Sequence, residues 1–163
     1  MYHARLALAA ALGTALLAAT PAVADQVHGT IRYKNVTKNV QHAYFVRGPN
    51  ALDPTKIIRR LIFTPSDIGA KLQSCATMSC TEGKVIDGMT VDLDAGPRLN
   101  YWLALKDGMV QFSGTEKPDA LTLTTAEPGK LAGTLKFDGT PQGGPIVDIQ
   151  FTAALLKEFT AGH

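Results

Sequence analysis

The strongest constraint on the fold is a repeated alternation of apolar and polar residues after residue 25. Residues 89–94 read MTVDLD, and residues 147–156 read VDIQFTAALL, with apolar side chains at every second position. A period of two residues places such side chains on one face of a β-strand. The pattern therefore predicts a chain that folds mainly as β-sheet.

Turn-forming residues divide this pattern into hairpins. Asp107-Gly108 suits the positive φ angles of a two-residue hairpin turn, and Pro128-Gly129 suits a second tight turn. Most connections between the strands are therefore expected to be antiparallel. The predicted strands are residues 27–34, 40–47, 57–64, 89–94, 99–106, 109–115, 121–127, 130–138 and 147–156.

One segment breaks the alternation. Residues 64–75 contain a capping residue and a proline at their start, and Ile68 and Leu72 stand four positions apart. This spacing predicts a short helix that packs its apolar side on the sheet. The complete pattern predicts an antiparallel β-sandwich, or a barrel, of about nine strands with one short helix.

The start of the sequence has the features of a secretory signal peptide. An apolar run over residues 6–19 follows a basic start and precedes small residues at Ala22 and Ala24. The run is shorter than the ~20 residues that cross a bilayer, so we expect cleavage after Ala24 and no membrane span. The predicted organisation is a signal peptide over 1–24 and a single β-rich domain over 25–163, located in the periplasm or secreted.

Composition limits the classes of partner. The formal net charge is +2, and removal of the leader takes away one arginine and no acidic residue. Nucleic-acid binding depends on clustered lysine and arginine side chains that contact the phosphates. The nearly balanced charge therefore leads us to expect no nucleic-acid partner. Apolar residues make up 45% of the chain and charged residues 18%, which favours a folded core over disorder.

Both cysteines of the chain lie in the heptapeptide SCATMSC. An oxidising compartment favours a disulfide between Cys75 and Cys80, which would fix the turn after the predicted helix. Two thiolates and the Met78 thioether are also soft ligands that suit copper(I), so a copper or other soft-metal site is the alternative. Redox chemistry of the thioredoxin type is disfavoured, because the spacing is not Cys-x-x-Cys.

Paired carboxylates offer a candidate for acid-base chemistry. Asp92 and Asp94 alternate on a predicted strand and are expected to share one face, with Arg98 close enough to neutralise one of them. A solvated strand face explains the same pattern. No nucleophile motif, phosphate loop or zinc-protease motif occurs in the sequence, which favours a non-catalytic protein. An enzyme built on these three residues is the competing hypothesis.

Further residues complete a possible binding surface. Arg59 and Arg60 are adjacent, so one of them interrupts an apolar face, either to clamp an anion or to protect an edge strand. Trp102 points away from its neighbour Tyr101, and one of the two rings is free to stack on a ligand. The predicted binding surface comprises Arg59, Arg60, Asp92, Asp94, Arg98 and Trp102.

Two histidines lie near the start of the predicted domain. His28 and His42 fall on the first two predicted strands, where they could meet across a hairpin. In that position they would titrate together or ligate a metal. A structural role for each histidine within the sheet explains the same placement.

Several segments resemble exported proteobacterial β-rich proteins that carry no assigned activity. The segments are HAYFVR at 42–47, SCATMSC at 74–80, GMTVDLDAGPRLNYW at 88–102 and GGPIVDIQFTAALLK at 143–157. The resemblance implies export and a single domain, and it transfers no functional residues. Together with the absence of catalytic motifs, it leads us to expect an exported, non-catalytic module that binds a small ligand or a protein partner, with copper handling as the alternative.

Overall fold

The computed structural model describes residues 26–163, so the predicted signal peptide lies outside the described residues. Ten strands and one short α-helix account for most of this part of the chain. The strands are β1 (Gln26–Tyr33), β2 (Val36–Asn39), β3 (His42–Pro49), β4 (Ile57–Thr64), β5 (Gly88–Asp92), β6 (Leu99–Leu105), β7 (Val110–Glu116), β8 (Leu121–Glu127), β9 (Lys130–Asp138) and β10 (Ile146–Glu158). The helix α1 spans Gly69–Gln73, and 3₁₀ turns span Ser79–Lys84, Pro118–Ala120 and Thr140–Gln142.

All ten strands belong to one hydrogen-bonded sheet, and β10 is its central element. The first part of β10 pairs antiparallel with β1 on one side and with β9 on the other. After residue 154 the strand leaves β9, and Leu155–Glu158 pairs parallel with β3. Antiparallel pairs β3-β4, β4-β5, β5-β6 and β6-β7 then continue the sheet.

The sheet curls strongly around one apolar core. Side chains from both halves of the sheet face this core, which defines the inner face. Phe63 of β4 and Phe151 of β10 make edge-to-face ring contact there, with centroids 5.3 Å apart. Because the two halves share one core, neither buries its apolar face without the other.

A smaller apolar cluster covers the outer face of β3 and β4. Ile68 and Leu72 pack there beside Val46 and Ile62, as the four-residue spacing predicted. The Tyr44 hydroxyl fixes the start of α1, because it donates a hydrogen bond to Asp67 (2.7 Å) and accepts one from the Ile68 amide (2.8 Å). Burial, with the Asp67 contact, raises the pKa of Tyr44 to about 12.

The mainly β prediction and the short helix are confirmed, whereas a sandwich of two stacked sheets is not. The strand β10 belongs to both halves, so the sheet is continuous and strongly curled. The structure has ten strands rather than about nine, because Val36–Asn39 forms a strand of its own. This short strand pairs with β1, so the first predicted hairpin does not join β1 to β3.

Within residues 26–163, no helix has the length and apolar character needed to span a membrane.

Candidate functional site

Arg60 lies at the centre of a buried polar cluster on the outer face of the sheet. It stands directly opposite Asp92 in the β4-β5 pair. Its Nε donates to Asp92 Oδ1 at 2.6 Å, and its Nη2 donates to Oδ2 at 2.8 Å. Both residues are only 3% exposed. Such burial of two charges is tolerated when the pair is close and its remaining polar atoms are bonded.

The other donors of Arg60 hold the segment that contains the cysteines. Its Nη1 donates to the Met78 carbonyl at 3.1 Å and to Thr81 Oγ1 at 2.9 Å, and its Nη2 donates to Glu82 Oε1 at 2.8 Å. A guanidinium has five N–H donors, and each has an acceptor here. Arg60 is therefore a clamp between the sheet and residues 78–82, and it offers no free donor to an anion.

The charge of Arg60 is stable in this environment. Burial alone disfavours the cation, but the hydrogen bonds and charge of Asp92, with the charge of Glu82, outweigh that cost. The pKa of Arg60 is therefore raised above its ordinary value. The cluster keeps its ion pairs at any pH at which the carboxylates remain ionised.

The structure joins Cys75 and Cys80 in a disulfide, with Cα atoms 5.6 Å apart. Met78 lies inside this loop with its side chain 1% exposed, packed in the outer apolar cluster. Coordination of a soft metal by Cys75, Met78 and Cys80 requires both thiolates, which become available only when the disulfide is reduced. The structure thus supports the disulfide, and the copper alternative stays a prediction.

The end of the described chain lies along the same loop. The Met78 amide donates to the Ala161 carbonyl at 3.0 Å, and the Ser79 amide donates to the Gly162 carbonyl at 3.0 Å. The Lys157 ammonium donates to the Gln73 carbonyl at 2.8 Å. The loop is thus fixed from three sides, by Arg60, by the disulfide and by the residues after β10.

The residues that follow this loop, Glu82 and Val85, form one wall of a groove on the outer face of β5, β6 and β7, which we call the tryptophan groove. Its volume is about 320 Å³. Trp102 is 37% exposed on its floor, and the Arg60 guanidinium lies 5.9 Å from the centre of the indole ring. The groove is lined by Glu82, Val85, Thr90, Trp102, Leu103, Ala104, Gln111, Phe112 and Ser113.

A second concavity, which we call the edge cleft, lies where the sheet ends at β7 and β8. Its volume is also about 320 Å³. Arg59 makes a bidentate ion pair with Asp94 at 2.6 and 2.9 Å, and Arg98 Nε donates to Thr115 Oγ1 at 2.9 Å. The cleft is lined by Arg59, Leu93, Asp94, Gly96, Pro97, Arg98, Leu99, Pro118, Leu121 and Leu123.

The six residues of the predicted binding surface are thus divided between the two faces of the sheet. Trp102 lines the tryptophan groove, and the Arg60-Asp92 pair lies behind it on the same face. Arg59, Asp94 and Arg98 line the edge cleft. The edge-strand interpretation of the two arginines is wrong, because β4 lies between β3 and β5. Both arginines instead neutralise carboxylates of the neighbouring strand and turn.

The expectation that Asp92 and Asp94 share a face is also wrong. The strand β5 ends at Asp92, and Asp94 has a left-handed backbone with φ 57° in the turn that follows. Each carboxylate pairs with a different arginine, and adjacent arginines on β4 point to opposite faces. Arg98 contacts Thr115 rather than either carboxylate. The structure does not bring the three residues of the enzyme hypothesis together.

The two histidines lie apart in the sheet. His28 pairs with Gln150 across β1 and β10, and His42 pairs with Thr64 across β3 and β4. The His42 ring stacks on Tyr44 with centroids 6.2 Å apart. A contact across the first hairpin does not form, because β2 is the strand that pairs back onto β1.

Sequence reasoning missed several residues of the tryptophan groove. Gln111 and Ser113 alternate on β7, and this alternation is a signal that could have placed them on the outer face with Trp102. Glu82 had no such signal, because it follows the disulfide in a 3₁₀ turn. Its position depends on the hydrogen bond to Arg60, which comes from a distant strand.

No protein-family model matches the chain, and no curated protein or solved structure matches it significantly.

Proposed function

We propose that this protein is an exported, non-catalytic binding module that takes a small neutral ligand in the tryptophan groove. The observation that carries the proposal is the partly exposed Trp102 ring, which lies beside Arg60 in a concave surface whose wall, Glu82, is hydrogen-bonded to Arg60. A groove of about 320 Å³ falls at the lower end of the range for small-molecule sites.

The chemistry of the lining favours a hydroxyl-bearing ring such as a sugar unit. An indole face packs well on the apolar face of such a ring. Thr90, Gln111 and Ser113 bring groups that both donate and accept hydrogen bonds. Arg60 pairs with both Asp92 and Glu82, so these three side chains together carry one net negative charge, which disfavours an anion and leaves a neutral ligand as the proposed occupant.

Sugar binding is tested by the fluorescence of Trp102, which is the only tryptophan of the chain. We expect neutral mono- and disaccharides, added individually at millimolar concentration, to include at least one that shifts the emission. Trp102→Ala, followed by calorimetry, should weaken that sugar about tenfold or more, because loss of an aromatic anchor costs about 1.4 kcal/mol or more. Ser113→Ala should weaken it less.

Thr122→Ala is the matched control, because Thr122 is exposed on β8 outside the groove. It should leave sugar affinity unchanged. If no neutral sugar changes the emission, or if Trp102→Ala retains full affinity, the proposal fails.

Export has a separate test. The proposed signal peptide would be removed after Ala24, leaving a chain that starts at Asp25 and carries the disulfide. The intact mass of protein recovered from the periplasm or the medium should equal that of residues 25–163 less two hydrogens. A mass that includes residues 1–24 would contradict export by this route, and a native metal adduct with reduced cysteines would favour the copper alternative.

A further inference from the structure

The edge cleft is the one concavity among those described above that combines an apolar lining with an unpaired cation. Four leucines line it, and two of them, Leu93 and Leu99, belong to the inner core. The other two, Leu121 and Leu123 on β8, are half-buried against the same core. An apolar chain that entered the cleft would therefore continue the packing of the core instead of lying on its surface.

The position of the cleft explains why Leu121 and Leu123 are only half-buried, whereas Leu93 and Leu99 behind them are at most 7% exposed. The strands β7 and β8 are consecutive in the chain, but they stand at different edges of the curled sheet and share no ladder. The turn Pro118–Ala120 joins them, and Pro118 lines the cleft. The sheet is thus open along this edge, and the inner face meets solvent there.

The charges at the cleft do not cancel. Arg59 is neutralised by Asp94 in a bidentate ion pair. Arg98 is exposed and donates to Thr115 through Nε and Nη2, at 2.9 and 3.3 Å, but it has no carboxylate within ion-pairing distance among residues 26–163. One positive charge with free N–H donors therefore remains at the rim of an apolar cleft.

We propose that the edge cleft binds an amphipathic anion, with an aliphatic chain among the four leucines and an anionic head group on Arg98. A guanidinium fork matches a carboxylate or phosphate and gives charge-assisted hydrogen bonds. Each further methylene buried raises affinity about fourfold, until the cleft is full. This site is independent of the tryptophan groove, because the two lie on opposite faces of the sheet.

The experiment is calorimetric titration of the full mature chain with octanoate, and with octanol as the uncharged probe of equal chain length. We expect one octanoate per chain, tighter binding of decanoate, and weaker binding of octanol. Arg98→Gln should weaken octanoate about tenfold or more, because hydrogen bonds to charged groups are worth that much, and should leave octanol unchanged. Arg98→Lys should retain part of the affinity.

Two variants serve as controls. Arg32→Gln removes an exposed arginine on β1, outside the cleft, and should leave octanoate affinity unchanged. Trp102→Ala should also leave it unchanged, so failure of this proposal and failure of the sugar-binding proposal are distinguishable. Arg98 is exposed, so Arg98→Gln should keep the wild-type melting temperature.

A free acid and an anionic lipid carry the same chemistry, and vesicles separate the two sources. Cosedimentation with phosphatidylglycerol vesicles that is lost in Arg98→Gln would identify a lipid, whereas octanoate binding without cosedimentation would identify a free acid. The proposal is overturned if octanoate does not bind, if octanol binds equally well, or if Arg32→Gln weakens octanoate as much as Arg98→Gln.

Discussion

At the scale of single residues, Arg60 connects the sheet to the candidate site. Its guanidinium pairs with the buried carboxylate of Asp92 on β5 and lies beside the Trp102 ring. It also donates hydrogen bonds to residues 78–82, in the connection between β4 and β5. The shape of the tryptophan groove therefore depends on a side chain that does not line it. A charge in this position has a structural role, and removal of either partner leaves the other buried without compensation.

We predict that Arg60→Met lowers the free energy of unfolding by about 3–5 kcal/mol, because Asp92 then remains buried as an unpaired charge. Urea denaturation followed by Trp102 fluorescence measures the loss. The double variant Arg60→Met with Asp92→Val should recover part of it, since no buried charge is left. If Arg60→Met alone is as stable as the wild type, the structural role of Arg60 is contradicted.

At the scale of elements, the disulfide loop has a local task. It closes a ring between residues 75 and 80, immediately after α1, and Cys80 lies within the 3₁₀ turn that also carries Glu82. A ring this small restricts the unfolded chain less than a long-range bridge would, and it also fixes the geometry of the loop. That geometry places Thr81 and Glu82 within reach of Arg60.

We predict that Cys75→Ala and Cys80→Ala each cost about 2 kcal/mol of stability on the chain-entropy model. The double variant should cost little more than either single one, because both remove the same bond. Thermal unfolding under oxidising and reducing conditions measures the loss of stability in each variant. The reductant should lower the melting temperature of the wild type only. Additive losses would show that the two sulfurs are not bonded to each other.

The hairpins were the most predictable elements, because their signals are local. A two-residue turn at Asp107-Gly108 sets Leu105 opposite Val110, and the same register then places Trp102 opposite Ser113. The structure has this register. The relative positions of the six lining residues that lie on β6 and β7 thus follow from one turn in the sequence.

The wall of the groove was not predictable in the same way. It depends on contacts between Arg60 and residues 78–82, and no local pattern indicates which polar side chains a distant arginine will reach. The face of Asp94 was also wrongly predicted, because β5 ends at Asp92 and the left-handed backbone of Asp94 no longer follows the period of two. Both errors come from tertiary geometry that a period of two cannot encode.

At the scale of the whole molecule, the curled sheet has one core and one central strand. The strand β10 pairs with β1, β9 and β3 in turn, and its inner side chains, such as Phe151, contact both halves of the sheet. Loss of this strand would expose the inner face of both halves together. The molecule is therefore expected to unfold as one unit.

We predict that Phe151→Ala lowers the free energy of unfolding by about 3–5 kcal/mol, because its ring is 2% exposed and packs against Phe63. Urea denaturation should show a single transition, with the same midpoint by Trp102 fluorescence on β6 and by far-ultraviolet circular dichroism. Thr152→Ala, at a half-buried neighbouring position, should cost much less. Separate midpoints for the two probes would contradict a common core.

The central place of β10 also affects the order in which the chain can fold. Its partners β1, β3 and β9 all precede it in the sequence. Gln26 pairs with Thr152, so β1 cannot complete its hydrogen bonds until residue 152 has been synthesised. During synthesis, the earlier strands can form hairpins but cannot close the inner core. Long separations between paired strands slow folding. The inner core can therefore close only after β10 has been made, and this delay would suit the proposed export, because a translocation channel threads unfolded chains.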